Sequence, residues 1–570
     1  MSFIAEELGE EDEELDPSYA LPRTDEDRVV TILEQLHSEG IRFSLNRFLT
    51  TLFRSDDPRI TQYTNTFLGR DGAVDCAFIP SLEKFKSAIP PLKDEHGLEP
   101  HITRQFYLPT LDQEQGTVKG NMEVLEEYLF RILNIPHKSF EKRLVAVLGD
   151  RLTTARDRSA QAYRSLDRSE SRGERFASLV LLPGLMHTRL AFIELLNRQL
   201  WHTGKASERD PTDLGVLHQL LDHRTRVKHG KIEFYAWLRF LEAIFSGMAI
   251  SAVGALLPNC TSVEDLSNTL GARIKTREDL EKLAMDAVDR YLMPSVDRLE
   301  ATDVKTVEGD SVVGHAVITF QLLALLQNLT HSIKYGHITR ILDSLKFMYP
   351  IFYAGGSYNY SAEIGEFLHN VTHDWPKQSV DTLVGALLVN TTGRPDGFKE
   401  TDLNGEHYNK DIKDLAHGPN MTPKILSQLT PSLGVLSEVC DILVKDLGVE
   451  NRHTRHSHVK AAQDVEILAE HFIKNSVFDF SRDRASGFKV PDFYSKGRSS
   501  LAGVQGGHRR QLQRYELGLR NRADSVAEEV EDMTMNDREL YLEDTVSFEL
   551  GDEYDGEDPD ELLQQSDDDD

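Results

Sequence analysis

Two patterns of apolar residues occur along the chain, and they predict different kinds of element. Continuous apolar runs at 144–148 and 179–182 are typical of buried strands, and a glycine follows each run closely, Gly149 after the first and Gly184 after the second. From position 185 onwards, apolar residues mostly recur every three or four positions, which predicts amphipathic helices. The pattern therefore indicates an α/β protein that is predominantly helical.

The predicted helices share apolar residues at helical spacing. They cover residues 25–70, 121–134, 154–175, 185–201, 214–221, 231–257, 277–293, 312–332, 338–352, 403–415 and 425–447. Prolines make residues 71–120 an irregular connector, and linkers are predicted near 202–212, 258–277 and 300–311. The most apolar run, 243–257, is too short to span a bilayer and fits a buried helix.

Acidic residues are concentrated at the two ends of the chain. Residues 1–16 contain eight acids and no base, and residues 524–570 contain 21 acids and one base, so the ends account for nearly all of the net charge of −30. Such like-charged segments usually remain disordered, and they can bind basic proteins such as histones. Residues 496–522 instead carry seven bases and one acid. This segment is a candidate DNA contact, although the acidic tail that follows competes with DNA for it.

The remaining composition bounds the location and excludes several enzyme classes. The three cysteines, Cys76, Cys260 and Cys440, are too far apart to indicate a disulfide framework or a cysteine zinc site, which favours a reducing compartment. The acidic N-terminus does not resemble a signal peptide. We therefore expect an intracellular protein, nuclear or cytoplasmic, that is not secreted and has no membrane partner. Walker A, dinucleotide-binding, nucleophile-elbow and zinc-protease motifs are absent from the sequence.

Asp150 is the strongest candidate for chemistry, because it follows the first predicted strand at its carboxyl end. Open α/β folds place ligands at that edge of the sheet, and a carboxylate there is suited to bind Mg²⁺. The same residue is also well placed to cap the helix that is predicted to begin near Thr153. The residues by themselves leave both roles open.

Four further residues are candidates for a functional site. His187 begins a long apolar helix, where it either orients a carboxylate or phosphate or simply packs. Glu406 shares a helix face with Asp402, and the two carboxylates either complete a metal site or face water. His407 follows Glu406 on that helix. Arg394 belongs to a predicted turn, where it either binds phosphate or is solvated.

Four blocks of the sequence resemble, in order, the motifs of a large family in basidiomycete fungi that is catalogued as domain of unknown function 6589. The blocks are Val147–Thr153, Leu182–His187, Leu388–Pro395 and Asp402–Asn409. The first is similar to the family's Gly-Asp-Gln-Leu-Thr signature, and the last to its Asp-Leu-x-x-Glu-His block. The resemblance covers roughly residues 25–475.

The resemblance implies a transposon-derived protein, similar to transposases whose ribonuclease-H-like core is interrupted by a helical insertion. In such enzymes three carboxylates hold two Mg²⁺ ions for phosphodiester cleavage and strand transfer. On this basis Asp150 and Glu406 are the expected catalytic residues and metal ligands, and His187 is an auxiliary catalytic group. The implied cofactor is Mg²⁺, and the implied partner is DNA.

Two departures from the family's pattern lower the expected activity. Arg151 replaces the glutamine of the signature and places a cation beside the expected ligand. Residues 71–140 lack the family's Tyr-Asp-Asn motif, which lies on an earlier strand and could supply the first carboxylate. We therefore expect a weak or inactive metal-dependent DNA transposase or nuclease. The alternative is a non-catalytic helical interaction protein with acidic tails.

The expected fold class is α/β and predominantly helical. It combines a small ribonuclease-H-like mixed sheet, incomplete if the earlier strand is absent, with a large helical insertion and disordered acidic tails. The predicted domains are a disordered N-terminus (1–24), a helical region and connector (25–120), the first half of the core (121–200), a helical insertion (201–352), the second half of the core (353–475), a basic linker (476–523) and an acidic tail (524–570).

Overall fold

The chain folds into a predominantly helical body with a few short strands. The computed structural model describes residues 2–4, 97–113, 115–140, 144–165, 174–176, 178–202, 210–292, 310–375, 377–418, 421–447, 461–486 and 488–502. The predicted α/β, mainly helical fold class is confirmed within these residues. The helices predicted at 25–70 and the acidic tails lie outside them, apart from residues 2–4.

The elements follow the predicted order closely. They are β1 (Ser2–Ile4), α1 (Val118–Glu126, continued as a π-helix over Glu127–Ile132), α2 (His137–Phe140), β2 (Val145–Gly149), α3 (Arg151–Ser165), β3 (Leu179–Pro183), α4 (Leu185–Leu200), α5 (Leu214–Leu220), α6 (Phe234–Ala255), α7 (Val263–Arg273), α8 (Arg277–Ala287, continued as a π-helix over Val288–Leu292), α9 (Ser311–Lys334), α10 (Ile338–Ala354), α11 (Tyr358–His369, continued as a π-helix over Asn370–Asp374), α12 (Lys377–Gly385), β4 (Leu388–Asn390), β5 (Phe398–Glu400), α13 (Thr401–Ala416), α14 (Pro423–Leu429, followed by a 3₁₀ turn over Thr430–Ser432), α15 (Leu433–Asp446), α16 (Ala461–Lys474) and α17 (Phe493–Ala502).

Two small sheets position the site. In the first, β2 lies parallel to β3, with Gly149 opposite Pro183, and β1 pairs antiparallel with the other edge of β2. In the second, β4 and β5 form an antiparallel hairpin in which Leu388 is opposite Glu400. Because β2 and β3 run in the same direction, their carboxyl ends meet at one edge, and the helices α3 and α4 both begin there.

Side chains alternate between the two faces of the first sheet, and each face packs against its own hydrophobic cluster. Ala146 and Leu148 belong to the main core, whereas Val147 belongs to a smaller cluster with α1. The neighbouring strand repeats the alternation, since Val180 faces the main core and Leu179 the smaller one. This two-sided burial explains why the strands read as continuous apolar runs rather than as alternating ones.

The main core extends without a break from the sheet into the helical block of residues 210–354, so the sheet and the helices bury a common interior. Helices α6 and α9 are long and apolar enough to cross a membrane by length and composition alone, but 72% of the apolar window in each is buried inside the fold. Such burial is typical of the central helices of a packed domain.

Three parts of the chain differ from their predicted form. The linker predicted at 258–277 contains α7, whose first turn is capped by the Ser262 hydroxyl, which accepts from the Asp265 amide at 3.1 Å. The helix predicted at 425–447 is divided by the turn around Pro431, because proline lacks the amide that would continue the helical bonding. The basic linker predicted at 476–523 includes α17, which packs so closely on α10 that a Cβ at Gly497 would overlap the Pro350 carbonyl.

Candidate active site

Asp150 caps a helix at the strand edge. Its Oδ1 accepts a hydrogen bond from the Thr153 amide at 2.7 Å, so the carboxylate closes the first turn of α3. The close approach also constrains the preceding residue, because a Cβ at Gly149 would lie 2.9 Å from the Thr153 side chain. Of the two roles that the sequence left open, capping is therefore the one that the hydrogen bonds display, while the carboxylate itself stays half-buried at the carboxyl end of β2.

The neighbouring helix receives its cap from a distant part of the chain. Gly184 precedes α4 and has no side chain to cap it. Instead Asp402, on α13, accepts from the Met186 amide at 3.1 Å and from the His187 amide at 3.0 Å. Its carboxylate therefore satisfies the exposed amides at the start of α4 in place of a local residue.

Glycine at position 184 is what makes this arrangement possible. A Cβ there would overlap Oδ2 of Asp402 and lie 3.0 Å from the Gly149 carbonyl oxygen.

We expect Gly184→Ala to lower the free energy of unfolding by about 1–3 kcal/mol, because either the carboxylate or the strand edge must move. Urea unfolding would measure the loss. Gly230→Ala makes a poor control because of its positive φ, but Gly314→Ala, in α9 with open space around it, should not destabilise. An unchanged midpoint for Gly184→Ala would contradict the geometry.

His187 lies among three carboxylates. Its Nδ1 is 3.0 Å from Oδ2 of Asp402, which is almost completely buried. Burial by itself would lower the pKa of His187, but the hydrogen bond and charge of Asp402, and then the charges of Asp150 and Glu406, raise that pKa above its ordinary value. Burial would raise the pKa of Asp402, but the hydrogen bonds and charge of His187 lower it. Both pKa shifts therefore favour the imidazolium–carboxylate form of this partly buried pair.

A second buried ion pair supports the start of α13. Glu400 and Arg189 are each almost fully buried and form an ion pair with each other, and Arg189 also donates to the Thr330 hydroxyl at 3.1 Å. Arg189 lies over the ring of Phe234, 5.0 Å from its centroid. Since Glu400 is only two residues from Asp402, this contact fixes the backbone that carries the capping carboxylate.

Arg394 and His407 do not join this group. Arg394 lies in the turn of the β4–β5 hairpin, at the end of β5 opposite to the one that leads into α13, and it donates to the Asp396 carboxylate at 2.9 and 3.1 Å. Burial, followed by the charges of Lys399 and Lys410, lowers the pKa of His407 to about 4, so its imidazole is neutral at pH 7. Of the residues singled out from the sequence, Asp402 contacts His187 directly, whereas Asp150 and Glu406 act on it only through their charges.

The structure adds partners that the sequence did not indicate. Glu363, on α11, is buried and accepts from both terminal nitrogens of Arg158, at 2.6 and 2.7 Å, and from the Thr154 hydroxyl at 3.0 Å. Arg151, the residue that departs from the family's signature, donates to the Asn359 side chain at 2.9 Å. Its charge is thus engaged with α11. Nothing in the sequence near residue 360 marks these contacts, since they depend on how α3 and α11 pack.

The donor set limits what metal could bind. In the described parts of the chain, no group of three or more His, Cys, Asp or Glu side chains is arranged to hold a metal ion. Asp402 is already engaged by three donors, and Asp150 uses one oxygen for its cap. Asp150 and Glu406 remain as carboxylates with oxygen atoms of the kind that Mg²⁺ accepts as ligands. Two such carboxylates do not match the donor set that holds two neighbouring metal ions in a two-metal nuclease.

Comparison with known proteins identifies a family but not an activity. A model described as "Family of unknown function (DUF6589)" matches residues 66–456, which is more than half of the chain. The search of curated proteins and the search of solved structures both found no match.

Proposed function

We infer, from the premise that the chain belongs to the family of unknown function DUF6589, that it is a transposon-derived relative of metal-dependent DNA transposases and nucleases. The site that would serve this function is the strand edge, with Asp150 and Glu406 as ligands of a single hydrated Mg²⁺. The proposed activity is weak DNA cleavage. The protein would descend from ribonuclease-H-like enzymes and would have lost one of the carboxylates that bind the metal ions.

One observation supports this proposal: the charges of Asp150 and Glu406, which are 256 positions apart in the sequence, both add to the larger effect of Asp402 in raising the pKa of His187. Asp150 directly follows β2, and a carboxylate at the carboxyl end of a parallel strand occupies the usual ligand edge of an α/β sheet. A bound Mg²⁺ would neutralise charge on a phosphodiester oxygen and activate water there. His187, held by Asp402, would supply a positive charge beside the same phosphate.

Metal binding and DNA nicking test this proposal together. Asp150→Asn keeps an oxygen that can cap α3 but removes the charge, and Glu406→Gln is its counterpart on α13. Each change should weaken Mn²⁺ binding, measured by electron paramagnetic resonance, by about ten-fold or more, because a carboxylate ligand is lost. Nicking of supercoiled plasmid in Mn²⁺ should fall with it.

The matched control is Asp414→Asn, which removes an exposed carboxylate from the same helix as Glu406. It should leave Mn²⁺ affinity and nicking unchanged. Equal nicking by all four proteins would assign the cleavage to a contaminant or to another part of the chain. Mn²⁺ binding that is insensitive to both site variants would remove the metal site altogether.

A non-catalytic interaction protein is the second candidate, and an exposed apolar stripe on α15 favours it. In this role the helical body docks a partner, and the acidic tails bind basic proteins such as histones. Co-sedimentation of the full chain with histone octamers at rising salt would test the tail contact, which should weaken steadily as salt screens the charges. Binding that does not respond to salt would argue against it.

A further inference from the structure

Helix α15 has an exposed apolar face. Six large apolar side chains, at helical spacing, are 46–72% exposed: Val435, Leu436, Val439, Ile442, Leu443 and Leu447. On a helical wheel they occupy one side, with Cys440 at the edge of the stripe. Asp446 is also exposed on this side, but the other exposed residues there are apolar, and such patches usually mark an interaction surface.

The helix is held to the body mainly at its beginning. Leu433 is buried, and the ring of Tyr107 packs on Gly434 so closely that a Cβ there would be 2.9 Å from the ring. The ring of Tyr107 itself packs at a tilt against the ring of Tyr408 of α13, with ring centroids 4.1 Å apart. The neighbouring Phe106 is 81% exposed. The chain that leads into the described body from its N-terminal side therefore passes directly beside the first turn of α15.

We propose that residues 29–53 of the same chain cover this face. They lie outside the described residues, and in the sequence they carry apolar side chains at helical spacing: Val29, Val30, Ile32, Leu33, Leu36, Leu45, Phe48, Leu49, Leu52 and Phe53. A segment with this pattern needs an apolar partner of its own. The α15 face supplies one, in the mode in which an amphipathic helix lies against a hydrophobic surface.

The tether between the two favours contact within one chain. Residues 54–96 connect the segment to the described body, so the segment cannot diffuse away from it. The segment is thus held near α15 at an effective concentration on the order of millimolar. Because the tether supplies this concentration, even a small apolar surface is enough for docking.

A second copy fits this face less well. A helix of 14 residues offers a strip only about 20 Å by 10 Å, far below the roughly 800 Å² per partner of a stable interface. Two copies would also bring together two sets of acidic ends, which hold nearly all of the net charge of −30 of each chain. Residues 29–53 contain two acids and two bases, so their docking meets no such repulsion.

A thiol placed in the stripe tests the contact in the full-length chain. The reporter is Val439→Cys in a Cys440→Ser background, labelled with a water-soluble maleimide and read by peptide mapping, so that Cys76 and Cys260 are counted separately. Adding Leu33→Asp and Leu49→Asp should speed labelling at position 439 by about ten-fold or more, because a charged segment no longer covers it. The matched control, Thr31→Asp with Thr51→Asp, adds the same charge on the opposite side of the segment and should leave the rate unchanged.

Three results would overturn the proposal. The reporter thiol could label as fast in the parent chain as in urea. The rate could be the same with and without Leu33→Asp and Leu49→Asp, whether the two changes are made together or singly. Protection could instead fall on dilution from about 50 µM to about 0.5 µM, which would assign the cover to a second copy.

Discussion

Replacing Asp402 by alanine is expected to lower the free energy of unfolding by about 3–5 kcal/mol, the largest effect that we predict for the site. The change removes the acceptor for two backbone amides and for the His187 ring. It also leaves the His187 imidazolium partly buried without its closest counter-charge, and an uncompensated buried charge is more costly than the lost bonds. Chemical denaturation at pH 6 would measure the loss.

The loss should depend on pH in a defined direction. The folded state raises the pKa of His187, so the charge contribution of this group is complete below its ordinary value of about 6.5 and disappears as pH rises through the folded value. The pKa of Asp402 is lowered, so its contribution begins above its ordinary value of 3.8 and would be lost on acidification. The effect of Asp402→Ala should therefore be greater at pH 6 than at pH 9.

Glu406→Ala is the natural comparison, because Glu406 is one helical turn further along α13 and only half-buried. We expect it to change stability by less than about 1 kcal/mol. If both variants were equally stable, Asp402 would not be the residue that ties α13 to α4, and the helix cap would have to come from water.

Asp157→Asn should stabilise the protein by about 2–4 kcal/mol at pH 8. Asp157 is completely buried on α3, and within the described residues neither of its carboxylate oxygens has a hydrogen-bond partner. Burial raises its pKa to about 7, against the opposing charge of Arg158. The wild-type chain must therefore either carry a buried charge or hold a proton at neutral pH.

The pH dependence of stability that Asp157 causes is opposite to that of an acid whose pKa is lowered by folding. Because the folded pKa is above the unfolded one, the folded state binds its proton more tightly, and stability falls as pH rises from about 4 to about 7. The asparagine variant cannot lose a proton and should escape that fall. Its advantage should be full at pH 8 and should vanish near pH 4.

Thermal unfolding across this pH range would measure the difference, with Asp286→Asn as the control. Asp286 is exposed on α8, so its replacement should stay within about 0.5 kcal/mol of the wild type at every pH. An Asp157→Asn variant that is destabilised at pH 8 would mean that the carboxylate has a favourable partner there.

Local sequence patterns were sufficient for most of the elements. The apolar runs predicted β2 and β3 to within a residue, and the helical spacing predicted α4, α9 and α10 closely. Prediction was poorer where a helix buries few residues, as in α7, which relies on Leu266 and Leu270. In such a segment the apolar period is too weak to distinguish a helix from a linker.

The candidate site was only partly accessible from the sequence, because its contacts join distant segments. The sequence placed Asp150 at the end of a strand and Asp402 and Glu406 on one helical face, since strand and helix periods are local properties. It could not assign Asp402 to the start of α4, where a missing side chain at Gly184 makes room for it. Nor could it show that Arg151 contacts Asn359, or that the oxygens of Asp157 have no hydrogen-bond partner among the residues that the structure describes.

The sequence alone therefore determined the identity and order of the elements, the motifs of the family and the concentration of charge at the ends. The tertiary structure decided which carboxylates act on the pKa of His187, which acid caps which helix, and which apolar face remains exposed. The physical reason is that secondary structure follows from neighbours three or four residues apart. Caps, ion pairs and buried charges instead depend on segments that meet only when the common core of sheet and helices has formed.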